Sequence, residues 1–152
     1  MRGRHAIFRP MEDQDRPAVL ALSRAWAEED ITYGYFANGE NELDGYRCWV
    51  AEVDGRVAGY AAGQMEAASR DSSIQREGER WFELEELYVT QACRGGGLGG
   101  ALLGHVEETL RGEGVKRLML TGANRDQGPL LRFYLRRGMT LYSFRAFRDL
   151  YI

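Results

Sequence analysis

"ELEELYVTQACRGGGLGGALL", residues 83–103, decides how the chain folds. Its first half reads as a strand in which apolar and β-forming residues alternate with three glutamates. Glycine then fills every position from Gly95 to Gly100 except Leu98. From Gly97 onward, Leu98, Ala101, Leu102, His105, Val106 and Thr109 recur at helical spacing, and Gly112 and Gly114 end the run. A strand that passes through a glycine loop into a helix leaves several backbone N–H groups unpaired at the positive end of the helix dipole. Such a corner binds anions, and glycine lets the N–H groups approach without an obstructing Cβ. Arg94 at the mouth of the loop offers a forked pair of donors to a phosphate oxygen. A packing turn alone accounts poorly for five glycines in six positions, since each costs about 1 kcal/mol inside a helix relative to alanine.

Gly95, Gly97 and Gly100 also satisfy the G-x-G-x-x-G pattern of dinucleotide sites. That site needs an acid at the end of the following strand to hold a ribose hydroxyl, and "VKRLMLT" ends in Thr121 and Gly122 instead. No Lys-Ser or Lys-Thr follows the glycines, so a Walker loop fails as well.

Upstream, "HAIFRP" reads as a first strand stopped by Pro10. A first helix follows, with Asp13 or Asp15 as its cap, Pro17 in its first turn, and Val19, Leu22 and Trp26 at helical spacing. "ITYGYFANGENELDG" is broken by glycine and asparagine and reads as an irregular helix or loop with exposed aromatics. Asp54-Gly55 between two apolar runs predicts a hairpin, polar "SRDSSIQREGER" a solvated connection, and "WFELEELYVT" a third strand of the meander. Downstream, "VKRLMLTGA" reads as a buried strand. "DQGPLLRFYLRRG" reads as a helix with Pro129 near its start and Gly138 past its end, and "MTLYSFRAFRDLYI" as one bent or two short strands. The fold class is mixed α/β, antiparallel in its first half and closed by a strand-helix-strand crossover.

The 152 residues suit one domain, and 44% hydrophobic with 28% charged residues is the composition of a globular chain. A net charge of -3, with both signs interspersed, offers no basic stripe to nucleic acid. No apolar run approaches the roughly 18 residues of a membrane span, and no apolar run follows the basic start, so the reading is cytoplasmic. Two cysteines and two histidines, far apart in sequence, support neither a disulfide framework nor a metal site.

"LYVTQACRGGGLGGALL" resembles the acyl-CoA-binding motif of the GNAT superfamily of N-acetyltransferases: Arg or Gln, two residues, Gly, one residue, Gly or Ala. Arg94, Gly97 and Gly99 fill it. "GANRDQGPLLRFYLRRGM" resembles that family's later motif through Asn124, Phe133-Tyr134 and Gly138-Met139. The resemblance covers essentially the whole chain, as one domain spanning 1–152. It implies a mostly antiparallel central sheet flanked by helices and splayed in the middle for acetyl-CoA, the acetyl donor. It further implies that the backbone of Leu87, Tyr88 and Val89 pairs with the pantetheine arm, that Arg94, Gly95, Gly96, Gly97, Leu98, Gly99 and Gly100 cradle the pyrophosphate, and that Asn124 borders the cofactor. The implied activity is direct attack of a primary amine, a small molecule or a peptide N-terminus, on the thioester; the fold admits a homodimer. An acyl-CoA-binding domain without turnover is the alternative.

Transfer to an amine needs a base, because an ammonium has no lone pair, and gains from an acid near the departing thiolate. Simple alternation puts Glu83 and Glu85 on one strand face and Glu86 on the other, unless a bulge shifts the parity. Glu85, then Glu83, is the candidate base; partnering by arginines such as Arg76 and Arg80 is the competing role. Tyr134 is the candidate acid by its family position. Cys93 lacks a neighbouring histidine and reads as a small packing residue.

Overall fold

The computed structural model describes residues 5–151. Residues 1–4, the basic start noted above, and Ile152, the last of the closing segment, lie outside it. The first strand, β1 (Ala6–Pro10), ends at its proline and leads through a 3-10 turn into α1 (Arg16–Glu29). Asp15 stands at the N-cap position but does not cap the helix. Its carboxylate accepts the Glu12 N–H at 2.8 Å and the two terminal nitrogens of Arg9 at 2.6 and 2.9 Å. The start of α1 is thereby pinned to β1, and the Arg9 guanidinium holds the buried Asp15 carboxyl below its ordinary range.

β2 (Arg47–Val53) and β3 (Arg56–Ala67) form the hairpin predicted at Asp54-Gly55, whose φ angles of 51° and 79° belong to a primed turn. β4 (Arg80–Val89), α2 (Leu98–Gly112), β5 (Leu118–Leu120) and α3 (Gln127–Arg136) complete the chain. The five strands lie in sequence order, all pairs antiparallel except β4 with β5. Both faces of the sheet are covered, so the central strands carry apolar residues on both sides. Leu102, Leu103 and Val106 of α2 pack on Trp49, Phe82 and Leu84, while Val19 of α1 and Leu43 pack with Val50, Tyr60 and Tyr88. No helix among the described residues is long and apolar enough to cross a membrane.

Two features position the site. First, β5 pairs with β4 only from Phe82–Leu118 to Leu84–Leu120, and the remaining five residues of β4 run on without it. The sheet is splayed there. Past β5 the chain pairs elsewhere: Tyr33 N–H donates to Ala123 O at 2.8 Å and Arg125 N–H to Ile31 O at 2.9 Å, across an isolated bridge between Thr32 and Asn124. Second, β4 carries a bulge. Ala62 opposes Glu86 and Gly63 opposes Leu84, which leaves Glu85 as the extra residue.

The closing strands read from "MTLYSFRAFRDLYI" do not form. Residues 140–151 carry no strand, and Leu141, Tyr142, Phe144, Phe147, Leu150 and Tyr151 are all exposed. Their spacing explains it: 141 and 142 are adjacent, and 144, 147 and 150 recur every three residues, so no period of two is sustained, and the neighbouring β5 offers only three residues to pair with.

The bulge depends on Gly63. A Cβ there would lie 2.2 Å from the Glu83 carbonyl oxygen and 2.7 Å from the Phe82 ring. Backbone and a core ring cannot yield cheaply. Gly63→Ala should therefore lose at least the ~1–3 kcal/mol typical of overpacking, read as a lowered urea midpoint, and should reduce whatever chemistry depends on the bulge.

Candidate active site

The bulge shifts the strand's parity. Phe82, Leu84 and Leu87 face α2, whereas Glu86 and Tyr88 turn toward α1. Glu86 is only 8% exposed and fully engaged. Its Oε1 accepts from Tyr60 at 2.7 Å, Tyr35 at 2.8 Å and Asn38 Nδ2 at 2.8 Å, and Oε2 accepts from the same amide at 3.1 Å. Ser23 of α1 joins the network through the Tyr35 hydroxyl at 2.6 Å. Burial lifts the Tyr35 and Tyr60 hydroxyls above their ordinary range, which keeps both as neutral donors to the carboxylate. Glu86 thus ties α1, the loop after it, β3 and β4 together.

Glu85, the bulged residue, is exposed and uses none of these partners. Its carboxyl is raised above the ordinary range, first by burial of its surroundings and then by repulsion from Glu83, Glu66 and Glu86. Glu83 accepts the Trp81 indole N–H at 2.8 Å. Arg76, one of the arginines named above as competing partners for these carboxylates, sits 3.5 Å from Asp71 instead. The neighbouring carboxylates thus add to the proton affinity of Glu85.

Backbone groups also point into the splay. Thr90 N–H donates to Ala58 O at 2.8 Å, and antiparallel pairs alternate in the direction of their hydrogen bonds. Tyr88 accordingly faces β3, Leu87 presents its N–H and C=O groups to the gap that β5 leaves, and Val89 presents its N–H there while its carbonyl accepts from Arg94 Nε at 3.0 Å. The Tyr88 backbone, grouped with theirs in the sequence reading, belongs to the β3 ladder.

The glycine segment divides into two parts. Gly95, Gly96 and Gly97 have nothing within 4 Å of where a Cβ would stand, and Gly95 and Gly97 take φ of 85° and 83°. They form an open loop whose conformation requires glycine. Gly97 is the N-cap of α2 and carries no side-chain cap; the first N–H after it to reach a helical carbonyl is that of Ala101, at 3.0 Å from Gly97 O. The N–H groups of Leu98, Gly99 and Gly100 are left in the first turn without intrahelical acceptors. Gly99 and Gly100 serve packing in addition. A Cβ at Gly99 would touch Val89, and one at Gly100 would crowd Arg137 Nη1 at 3.2 Å, where α3 leans on α2. Val89, Arg94, the glycines, Phe133 and Arg136 enclose a cavity of about 450 Å³ in front of this helix start.

Arg94 is not aimed at that cavity. Its guanidinium forks onto Glu29 at 2.6 and 2.7 Å, its Nε donates to Val89 O at 3.0 Å, and its Cζ lies 5.2 Å from the Tyr88 ring centre. The phosphate fork expected of Arg94 is spent on the last residue of α1. The Glu29 carboxyl also accepts the Tyr88 hydroxyl at 2.5 Å, and is held below its ordinary value of 4.5, chiefly by Arg94. Trp26 stacks between Tyr35 and Tyr88, with ring centres 3.9 and 5.3 Å away, and donates to Thr32 at 2.9 Å. Thr32 in turn donates to Asn124 Oδ1 at 3.0 Å. The Asn124 amide nitrogen makes no hydrogen bond among the described residues.

Tyr134 is packed against the α2 core, with its hydroxyl pushed up to about 12 by burial alone and making no hydrogen bond among the described residues. No hydrogen bond joins it to Glu83 or Glu85. Sequence reasoning missed Glu29, Tyr35, Asn38, Tyr60 and Arg136. Tyr35 and Asn38 lie in the segment read as an irregular helix or loop, Tyr60 in the second strand of the hairpin and Arg136 in the helix after Asn124, but nothing in spacing marks Asn38 or Tyr60 as partners of Glu86.

A splayed sheet beside a glycine loop that opens a helix defines an acyl-CoA-dependent transferase. The acetyltransferase (GNAT) family model matches residues 10–139, and the chain belongs to that family. No curated protein matches it. Among solved structures, a Trypanosoma brucei acetyltransferase has a TM-score of 0.69 at 22% identity, covering 96% of this chain and 100% of that one. An aminoglycoside N-acetyltransferase in complex with CoA has a TM-score of 0.71 at 17% identity, covering 97% and 96%. A ribosomal-protein-alanine N-acetyltransferase from Brucella melitensis biovar Abortus 2308 has 0.66 at 16%, covering 95% and 100%. At these identities the likeness is one of fold. The protein is an acetyltransferase whose acetyl donor is acetyl-CoA.

The Glu29 pair has a pH signature. Its carboxyl is depressed in the folded state, so the stability it contributes is present above its ordinary value of 4.5 and lost as pH falls through the lower folded value. Glu29→Gln should lower the melting temperature at pH 7 and flatten its decline below about pH 4.5. Parallel wild-type and variant melting curves across that range would refute the assignment.

Proposed function

We propose that the protein transfers the acetyl group to a primary amine, with the base and acid on opposite sides of the splay between β4 and β5. The observation that carries this reading is that splay, which opens five residues of β4 beside the uncapped start of α2. The open space at Gly95, Gly96 and Gly97 and the cavity in front of them fit a pyrophosphate, which the N–H groups from Gly95 to Gly100 would receive. Leu87 and Val89 would pair with the pantetheine amides as an added strand does, and the Asn124 amide lies at the far end. Bound there, acetyl-CoA supplies an activated thioester.

Glu85 then takes the proton that the amine must shed, directly or through a water, so that the nitrogen lone pair can form the C–N bond. Its raised carboxyl makes it a stronger base than an ordinary glutamate. Glu83, the neighbouring carboxylate, is the alternative holder of this role. Tyr134 donates its hydroxyl proton to the sulfur as the C–S bond breaks; an uncommitted neutral phenol suits that task. The acceptor is a small amine or a peptide N-terminus. The compartment proposed for this activity is the cytoplasm, as the sequence reading expects.

CoA at ~100 times its dissociation constant should stabilise the protein by about 2.7 kcal/mol and raise its melting temperature by roughly 5–10 °C. A nicotinamide dinucleotide that does so in its place would overturn the reading. Gly97→Val should abolish the CoA shift, because the side chain fills the open space and φ of 83° strains it.

Removing a positioned acid or base costs ~10²–10⁴ in rate. Tyr134→Phe should lower kcat while leaving CoA affinity unchanged, and Glu85→Gln should remove the acidic limb of the pH-rate profile. Loss of that limb in Glu83→Gln instead would move the base to Glu83.

A further inference from the structure

Two arginines border the glycine-loop cavity, Arg94 and Arg136. Arg94 has its guanidinium on Glu29 and on the Val89 carbonyl. Arg137, next in the chain, is also committed, at 3.0 Å to Glu107 of α2, with its guanidinium in the niche that Gly100 and Gly104 leave. Arg136 makes no ion pair or hydrogen bond with any described residue. It sits one turn beyond Phe133 in the last turn of α3, and the two side chains wall the cavity opposite Gly95 and Gly97–Gly100. Residues three apart on a helix share a face, so their common direction follows from the helix itself.

We propose that Arg136 is the cation that binds the CoA pyrophosphate, closing from α3 the anion site whose other wall is the start of α2. This rests on the placement of the pyrophosphate on the glycine loop. The division of labour follows from geometry: a doubly charged pyrophosphate needs more than N–H dipoles, the arginine of the family motif is neutralised by Glu29, and Arg136 is the cation left facing the cavity. The arrangement makes the bound cofactor a bridge between the start of α2 and α3, the helix that carries Tyr134.

The test measures dissociation constants of CoA, dephospho-CoA, which lacks only the ribose phosphate, and pantetheine, which lacks every phosphate, for the wild type, Arg136→Gln, Arg136→Lys and Arg132→Gln. Arg132 lies one turn earlier on α3 and outside the cavity lining. Arg136→Gln should weaken CoA and dephospho-CoA by the same factor, roughly tenfold for one charge-assisted contact, and leave pantetheine unchanged. Arg136→Lys should recover part of the loss and Arg132→Gln should show none. Added salt should weaken CoA less in Arg136→Gln than in the wild type. Unchanged CoA affinity in Arg136→Gln, or an equal loss in Arg132→Gln, would overturn the assignment. So would a loss seen with CoA and not with dephospho-CoA, since the arginine would then read the ribose phosphate. A wild type that binds CoA no more tightly than pantetheine would instead refute the loop as the phosphate site.

Discussion

The contact of Gly63 with the Glu83 carbonyl is the constraint on which the site depends. It lets β3 approach β4 closely enough for one residue of β4 to be squeezed out of register. A one-residue insertion exchanges the faces of every side chain beyond it. Without it, the simple alternation would send Glu86 to the α2 core and leave Tyr60 and Tyr35 without their acceptor. With it, three glutamates in four positions acquire three environments: Glu83 beside an indole, Glu85 exposed at the bulge, Glu86 buried under two tyrosines and an asparagine.

Electrostatics then distributes the arginines. Arg9 holds the start of α1 through Asp15, and Arg94 holds its end through Glu29, so that helix is clamped at both termini to the sheet and to the loop that opens α2. Trp26, stacked between Tyr35 and Tyr88, carries the same clamp sideways to the Glu86 network. The wall on the α1 side of β4 and the glycine loop are therefore parts of one packed unit. Positioning of this kind holds the groups around the splay in place without prior rearrangement.

Much of the architecture was legible. Asp54-Gly55 demanded left-handed φ at both positions and could only be a hairpin turn, and the periodicity after Gly97 could only be a helix. The loop of Arg94 to Gly100 and the later Asn124, Phe133 and Tyr134 were readable as motifs resembling those of the family because their spacing is local. The closing strands were not, because a strand is defined by its neighbour and residues 140–151 lack the sustained alternation that would announce one. Asp15 was readable as a helix-starting residue, but not as the partner of Arg9.

By itself the sequence determined the order of elements, the glycine loop and the family, since each is written in contiguous residues whose backbone preferences are local. Only the tertiary structure decided which glutamate is buried, which glycines face open space, and which arginine is left to meet an anion. Those are questions of partner and parity. They turn on contacts such as Gly63 with Glu83, Arg94 with Glu29 and Arg137 with Glu107, whose members lie 20 to 65 residues apart and meet only when the strands pair and the helices dock on the sheet.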